Sequence, residues 1–223
     1  MREQDTSRSS RASAAPDPNS HHDPNDSTVP PGNALATALG MLVVFTILCG
    51  LVYPLAITGA AQVAFPAQAN GSLVVRDGAV VGSSLIGQPF TAPGYFWSRP
   101  SATAVAYDGT SSGASNLGPS NRALHTAVAD RVAALRAADP GNTAPVPIDL
   151  VTTSGSGLDP DISPAAAYYQ APRVARARGL DGPTVRALID RHVLGRVIGI
   201  LGDPHVNVLA LNLDLDALVA GKR

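Results

Sequence analysis

No charged residue occurs between Asp26 and Arg76, and inside that gap Ala34 to about Ile57 reads ALATALGMLVVFTILCGLVYPLAI, apolar at almost every position. A helix that is apolar all round has no solvent face and must be enclosed by lipid or by protein. Roughly 23 residues at about 1.5 Å each give about 35 Å, enough to cross a hydrocarbon core of about 30 Å. The pattern predicts one N-terminal transmembrane helix over 34–58. Pro54 near its far end lacks an amide proton and should kink or end the helix. Tyr53 beside it suits the membrane interface. A cleaved signal peptide is the competing reading, with Ala67-Gln68-Ala69 as a small-x-small processing site. Against it, the run exceeds the usual apolar core of about 7 to 15 residues and follows an acidic rather than a basic segment. A lipid anchor at Cys49 fails because Leu48 stands where a small residue is needed.

Before this run, residues 1–33 are rich in Ser, Asp, Asn and Pro with almost no large apolar side chain, so a disordered tail is expected. After it the pattern changes. Leu73 to Val75 and Ala79 to Val81 flank Asp77-Gly78, which predicts a β-hairpin. Gly87 to Gly118 is dense in Gly, Ser and Pro yet contains Phe90, Tyr95, Phe96 and Trp97, which predicts an ordered loop with aromatic anchors. Ser120 to Ala138 has Leu124, Val128, Val132 and Leu135 at helical spacing. Ile148 to Val151 reads as a short strand, and Ser163-Pro164 as a helix start that Pro172 should break or kink before Gly179. Asp181 to Leu194 reads as a further helix, and Val206 to Leu213 as a strand, with a terminal helix after Asp214. These elements predict an α+β extramembrane domain over 59–223, preceded by the single span.

Charge and composition narrow the chemistry. The formal net charge is -1, which offers no field to gather nucleic acid. The one cysteine permits neither a disulfide framework nor a cysteine zinc site. Arg2, Arg8 and Arg11 are the only basic residues before the span, which favours a cytoplasmic N-terminus and an extracytoplasmic domain. The loop from Thr152 to Leu158 carries glycines that allow backbone amides to converge on an anion, although neither a GKS/GKT triplet nor GxGxxG accompanies it. Ser154 and Ser156 are candidate nucleophiles, with His125, His192 and His205 as bases, but no GxSxG elbow is present. Asp149, Asp159 and Asp161 could gather a hard cation, but their spacing matches no EF-hand loop, so no metal site is expected. Arg173, Arg176 and Arg178 form a basic stretch suited either to a partner's carboxylates or to a solvated helix face.

Several stretches in one order carry a resemblance: VYPL (Val52 to Leu55), GQPF (Gly87 to Phe90), YFWSRPS (Tyr95 to Ser101), DGTSSGASNLGPSN (Asp108 to Asn121), Ile148 to Thr153, SGSGLDP (Ser154 to Pro160) and QAPRVARARG (Gln170 to Gly179). Together, over about Leu35 to Leu218, they resemble the C subunit of the Kdp-type potassium-transporting ATPases. The resemblance implies a non-catalytic accessory subunit at the plasma membrane within a high-affinity potassium uptake complex. Its partners would be a pump subunit that hydrolyses ATP and a channel-like potassium-binding subunit, and it would have no cofactor of its own. It also implies a catalytic-chaperone role that raises the pump's affinity for ATP, with Ser154, Gly155, Ser156, Gly157 and Gln170 as nucleotide contacts. Tyr53, Pro54, Arg173 and Arg176 are candidate partner contacts. The chain departs from the family pattern at Asp161, where a histidine is usual, and at Ala171 in place of valine. An extracytoplasmic domain would not meet cytoplasmic ATP, which favours assembly or ion entry over nucleotide binding. A membrane-anchored serine hydrolase acting through Ser156 and an independent surface-binding module remain as the alternatives.

Overall fold

The computed structural model describes residues 31–221. The expected tail therefore lies outside the described residues except at its end, where helix α1 already begins at Pro31. The described residues fall into two compact units, divided after Ile57, which are taken in turn.

Helix α1 (Pro31–Ile47) runs into a π-helical turn, Leu48–Val52, and then into α2 (Tyr53–Ala64). The helix Asn33–Ala64 is the one helix among the described residues long and apolar enough to cross a membrane, and its 32 residues reach about 48 Å. Of the expected kink or end at Pro54, the end does not occur: the helix continues to Ala64, with its irregularity directly before the proline. The widened turn directly before Pro54 makes room for its ring and for the lost amide bond, a common use of a π-turn inside a helix. A short helix, α3 (Pro66–Ala69), follows.

In the second unit, β1 (Leu73–Arg76) and β2 (Ala79–Ser83) form the expected hairpin, with Arg76 opposite Ala79. Asp77 and Gly78 both have positive φ, the conformation a two-residue turn needs to match strand twist. Helix α4 (Arg122–Ala138) starts on Asn121, whose side chain accepts from the Ala123 amide. Ile148–Leu150 is a single 3₁₀ turn and not a strand. Its Asp149 accepts from the Ser163 amide at 2.7 Å, and Ser163 in turn caps α5 (Pro164–Arg178). The run is too short to pair along an edge, and its acidic residue serves a turn better than a ladder.

Helix α5 continues through Pro172 to Arg178, so of the expected break or kink the break does not occur. Proline costs a helix its own amide bond and disturbs the neighbouring carbonyls of the preceding turn. The carbonyl left without its amide is that of Tyr168; next to it, Asn142 donates to the Tyr169 carbonyl at 3.0 Å and ties this turn to the 139–142 segment. Buried Ala166, Ala167, Ala171, Val174 and Ala175 hold the rest of the helix against the core. Helix α6 (Gly182–His192) starts on Asp181. It leads into a three-stranded antiparallel sheet ordered β3 (Asp161–Ile162), β5 (His205–Asn207), β4 (Val193–Leu194). The expected strand from Val206 to Leu213 stops at Asn207, whose side chain accepts from the Ala210 amide and starts α7 (Val208–Ala220). Val208, Leu211, Asn212 and Leu215 are buried at the i, i+3, i+4, i+7 spacing of a helix face.

The core, with Ile162, Val174, Val185, Ile189, Val206, Leu211 and Leu215, sits among α5, α6, α7 and this sheet. The irregular segment 87–118 is anchored to it by Phe96, which is fully buried. Two buried carboxamides hold that anchor in place. Asn212, 1% exposed, accepts from the Phe96 amide at 2.9 Å and donates to the Phe96 carbonyl at 2.9 Å. Gln170, also 1% exposed, accepts from the Trp97 amide at 2.8 Å and donates to the Trp97 carbonyl at 3.2 Å. Each carboxamide thus does for one residue what a neighbouring strand would do. Replacing either by alanine leaves two buried backbone groups without partners, so Asn212→Ala and Gln170→Ala should each cost about 2 to 4 kcal/mol. Thermal unfolding of the full chain in detergent would read this as a clear fall in Tm. Gln170→Glu, which cannot donate to the Trp97 carbonyl, should fall on the same side.

Candidate functional site

The loop from Thr152 to Leu158 is where sequence places candidate chemistry, and its polar atoms face inward on themselves and on the 99–113 segment. Ser154 is buried and its Oγ accepts from the Gly157 amide at 2.8 Å. Ser156 Oγ accepts from the Leu158 amide at 3.1 Å. The Ser156 carbonyl receives the Gly113 amide at 2.8 Å, and the Gly157 carbonyl receives Ser101 Oγ at 2.6 Å. Gly157 has φ of +70°, and a Cβ there would come within 2.8 Å of the Gly113 carbonyl oxygen and 2.9 Å of Thr103 Cγ2. A left-handed backbone and a close neighbouring chain together require glycine. Gly155 faces open space and has no such requirement.

The acidic residues nearby act on backbone groups and on each other's loops. Asp159 Oδ1 accepts from the Asp161 amide at 3.0 Å, while its Oδ2 lies 3.0 Å from Arg99 Nη1. Asp161 Oδ1 accepts from Asn207 Nδ2 at 3.0 Å, and its Oδ2 is 3.8 Å from His205 Nε2. Burial pushes the Asp161 carboxyl above the ordinary range, against the opposing effects of Asn207 and His205. Of the other histidines, His192 pairs with Asp214 at 2.9 Å. The candidate nucleophiles Ser154 and Ser156 thus bond to backbone amides, and His192 and His205 bond to aspartates and a carbonyl. Among the described residues no group of three His, Cys, Asp or Glu side chains is placed to hold a metal ion.

The basic stretch of α5 turns toward the aromatic loop. Arg173 is buried. It donates to the carbonyls of Pro93 at 2.5 Å and Tyr95 at 3.1 Å and to Gln170 Oε1 at 2.7 Å, and its guanidinium lies 4.3 Å from the Trp97 ring centre. Burial lowers its pKa to about 10, so it remains a cation at neutral pH. Arg178 donates to the Gly94 carbonyl at 2.7 Å, lies over the Tyr95 ring and pairs with Asp216. Arg176 is the most outward of the three and pairs with the buried carboxylate of Asp139. Tyr53 and Pro54 are exposed on the apolar helix. Gln170 lies with Arg173 under Trp97, and its carboxamide is engaged there on both atoms.

Sequence reasoning anticipated aromatic anchors but not the cleft they form. A depression of about 250 Å³ opens between the 89–107 segment and α4, lined by Pro89, Trp97, Arg99, Tyr107, Arg131 and Leu135 among others. Tyr107 adopts a φ of +60° and donates its hydroxyl to the Arg99 carbonyl. No spacing rule in the sequence announces such a meeting of a loop with a helix.

Two measurements check this geometry. Gly157→Ala should destabilise the chain by about 2 to 4 kcal/mol, whereas Gly155→Ala should stay within about 0.5 kcal/mol of the parent in the same unfolding assay. Because the folded-state pKa of Asp161 is raised, its stabilising contribution belongs to low pH and is lost as pH rises through that pKa. Asp161→Asn should therefore flatten the decline in unfolding midpoint as pH rises above the ordinary carboxylate range. A variant less stable than the parent at neutral pH would show that the His205 attraction outweighs burial.

Comparison with known proteins places this geometry in a family. The family described as "KdpC: K+-transporting ATPase, c chain" matches residues 35–217. A potassium-transporting ATPase KdpC subunit from Methylococcus capsulatus is 61% identical over 187 residues, covering 83% of this chain and 98% of the relative. One from Sorangium cellulosum is 63% identical over 183 residues, covering 82% and 96%. One from Variovorax paradoxus is 60% identical over 191 residues, covering 85% and 99%.

Proposed function

The chain belongs to the family of K+-transporting ATPase c chains, and from that membership we propose that it is an accessory, non-catalytic subunit of a high-affinity, ATP-driven potassium uptake complex. In this reading the helix Asn33–Ala64 spans the plasma membrane once, with the N-terminus cytoplasmic and the α+β domain outside. The domain aids assembly or ion entry by contact with a channel-like subunit that binds potassium. ATP hydrolysis belongs to a separate pump subunit.

The observation that carries this reading is the state of the candidate chemical groups. The hydroxyls of Ser154 and Ser156 close their own loop, and Gln170 holds the Trp97 backbone. A hydrolase would need Ser156 beside a base, and its hydroxyl instead accepts from the Leu158 amide. A catalytic chaperone that contacts nucleotide through residues 154–157 and Gln170 would need those groups to leave internal partners, at a cost that has to be recovered from the ligand. The assembly reading asks for no such rearrangement.

Co-expression of the tagged full chain with the pump and channel-like subunits, followed by detergent purification, tests the proposal. Stoichiometric recovery, with potassium-stimulated ATP hydrolysis that depends on the chain, is expected. Under the assembly role, omission of the chain lowers the yield of intact complex while the KM for ATP of what remains is unchanged. A several-fold rise in KM for ATP on omission would favour the catalytic chaperone instead. Full activity and assembly without the chain would overturn the accessory-subunit reading.

A further inference from the structure

The chain stays free of charge well beyond its apolar run. From Thr58 to Val75 there is no charged residue, although 15% of the chain is charged and a stretch of that length would carry about three. The hairpin that begins in this stretch has two unlike faces. Val74, Arg76 and Val81 are half-buried on the domain side. Arg76, the first charge, donates to the Leu213 carbonyl of α7 at 3.4 Å, and a Cβ on Gly82 would come within 3.0 Å of Leu209 Cδ2. On the opposite face Leu73, Val75 and Val80 are 55 to 60% exposed, with Val75 directly across from Val80. Phe65 before the hairpin and Leu85 after it are exposed as well.

Hydrogen bonds hold the base of this hairpin beside the end of helix α2. The Asn70 and Gln62 carboxamides bond to each other in both directions at 3.2 Å. The Ser72 amide donates to the Ala67 carbonyl at 2.9 Å, and Ser83 Oγ donates to the Gly71 carbonyl at 2.7 Å. Asn70 is therefore folded back beside Gln62 instead of lying eight residues farther out. Gln62 is only about 8 Å along the helix from Ile57, where the apolar run ends, and the headgroup layer is itself about 5 to 8 Å deep. A strand of four residues adds no more than about 13 Å. The exposed face of the hairpin thus begins at the level of the lipid headgroups.

We infer that Leu73, Val75 and Val80 rest at the headgroup–acyl boundary of the leaflet next to the domain, so that the hairpin is a second, interfacial membrane anchor beside the span. This needs the span to cross the membrane but does not need the accessory role. Lipid is the occupant because the bilayer already surrounds the span at this level, and the short tether keeps the face within its reach. A second copy of this chain would need roughly 800 Å² on each partner, far more than three aliphatic side chains supply. The acyl boundary excludes charge, and residues 58–75 carry none. Phe65 suits the same boundary. Asp77 occupies the tip of the hairpin, so the sheet lies flat on the bilayer and does not enter it point first.

Fluorophores placed on cysteines test this in the full chain, reconstituted in phosphatidylcholine vesicles with brominated acyl chains, both alone and co-purified with the other ATPase subunits. Native Cys49, the one cysteine, reports on the span. In a Cys49→Ser background, labels at Val75→Cys and Val80→Cys should lose about half or more of their emission to the brominated lipid while aqueous iodide quenches them weakly. Val75→Lys with Val80→Glu replaces the apolar pair by an opposite-charge pair across the strands, which keeps the hairpin paired. In that variant a label at Leu73→Cys should lose its lipid quenching and gain iodide quenching, with the Tm in detergent unchanged. Labels at 75 and 80 that iodide quenches and lipid does not, or a Leu73→Cys label that stays lipid-quenched in the variant, would overturn the inference. Shielding from both quenchers, in the chain alone or only in the complex, would show protein covering the face and would overturn it too. A Cys49 label untouched by brominated lipid would instead overturn the span itself, and failure to co-purify would count against the accessory role alone.

Discussion

The domain depends on one problem being solved: how to hold a long segment without regular structure against a small helical core. Residues 87–118 form neither helix nor strand, yet Phe96 within them is fully buried. Burying an extended dipeptide without a neighbouring strand would orphan four backbone groups, each at a cost comparable to a lost hydrogen bond. Asn212 from α7 takes both groups of Phe96, and Gln170 from α5 takes both groups of Trp97. Successive residues of an extended chain present their backbone groups to opposite sides, so two helices are needed where one would serve only every other residue.

The same arrangement makes a buried arginine tolerable. Arg173 has no carboxylate within ion-pair distance among the described residues. It is solvated by the Pro93 and Tyr95 carbonyls, by Gln170 and by the face of Trp97. A charge so placed is costly unless every partner is present, which ties the position of the aromatic loop to that of α5. Gln170 Oε1 is shared between the Trp97 amide and Arg173, so the carboxamide and the guanidinium hold each other in place. The aromatic residues, the glutamine and the arginine form one polar and aromatic network more than a surface patch.

Much of this fold was legible where local chemistry decides it. The span follows from an unbroken apolar run, the hairpin from Asp77-Gly78, and the start of α5 from Ser163-Pro164. The misjudged elements are those that turn on a cap or on a contact that periodicity does not show. VNVLALNL contains both a period of two and a period of 3.6, and it is the Asn207 cap that resolves it toward helix. Pro172 does not end α5, because residues on both sides of it, Ala166, Ala167, Ala171, Val174 and Ala175, are buried against the core. Arg173 and Arg178 read from sequence as partner contacts or as a solvated face, because nothing local shows the rings of Trp97 and Tyr95 lying against them. The glycine loop was recognisable as special, but its partners in the 101–113 segment were not, since hydrogen bonds between two irregular segments leave no periodicity.

The stretches that carry the family resemblance are also the stretches that meet in space. YFWSRPS supplies Trp97, Arg99 and Ser101; QAPRVARARG supplies Gln170 and Arg173; SGSGLDP supplies Gly157 and Asp159; DGTSSGASNLG supplies Gly113. Trp97 is bonded to Gln170 and stacked on Arg173, Arg99 is paired with Asp159, Ser101 is bonded to Gly157, and Gly113 is bonded to Ser156. Such a closed set of contacts accounts for why these residue types occur together without requiring that any of them touch a nucleotide or substrate. Glycine at 157 is required by the approach of two chains, and serine at 154 by the need to cap the Gly157 amide. A signature of this kind specifies a rigid platform.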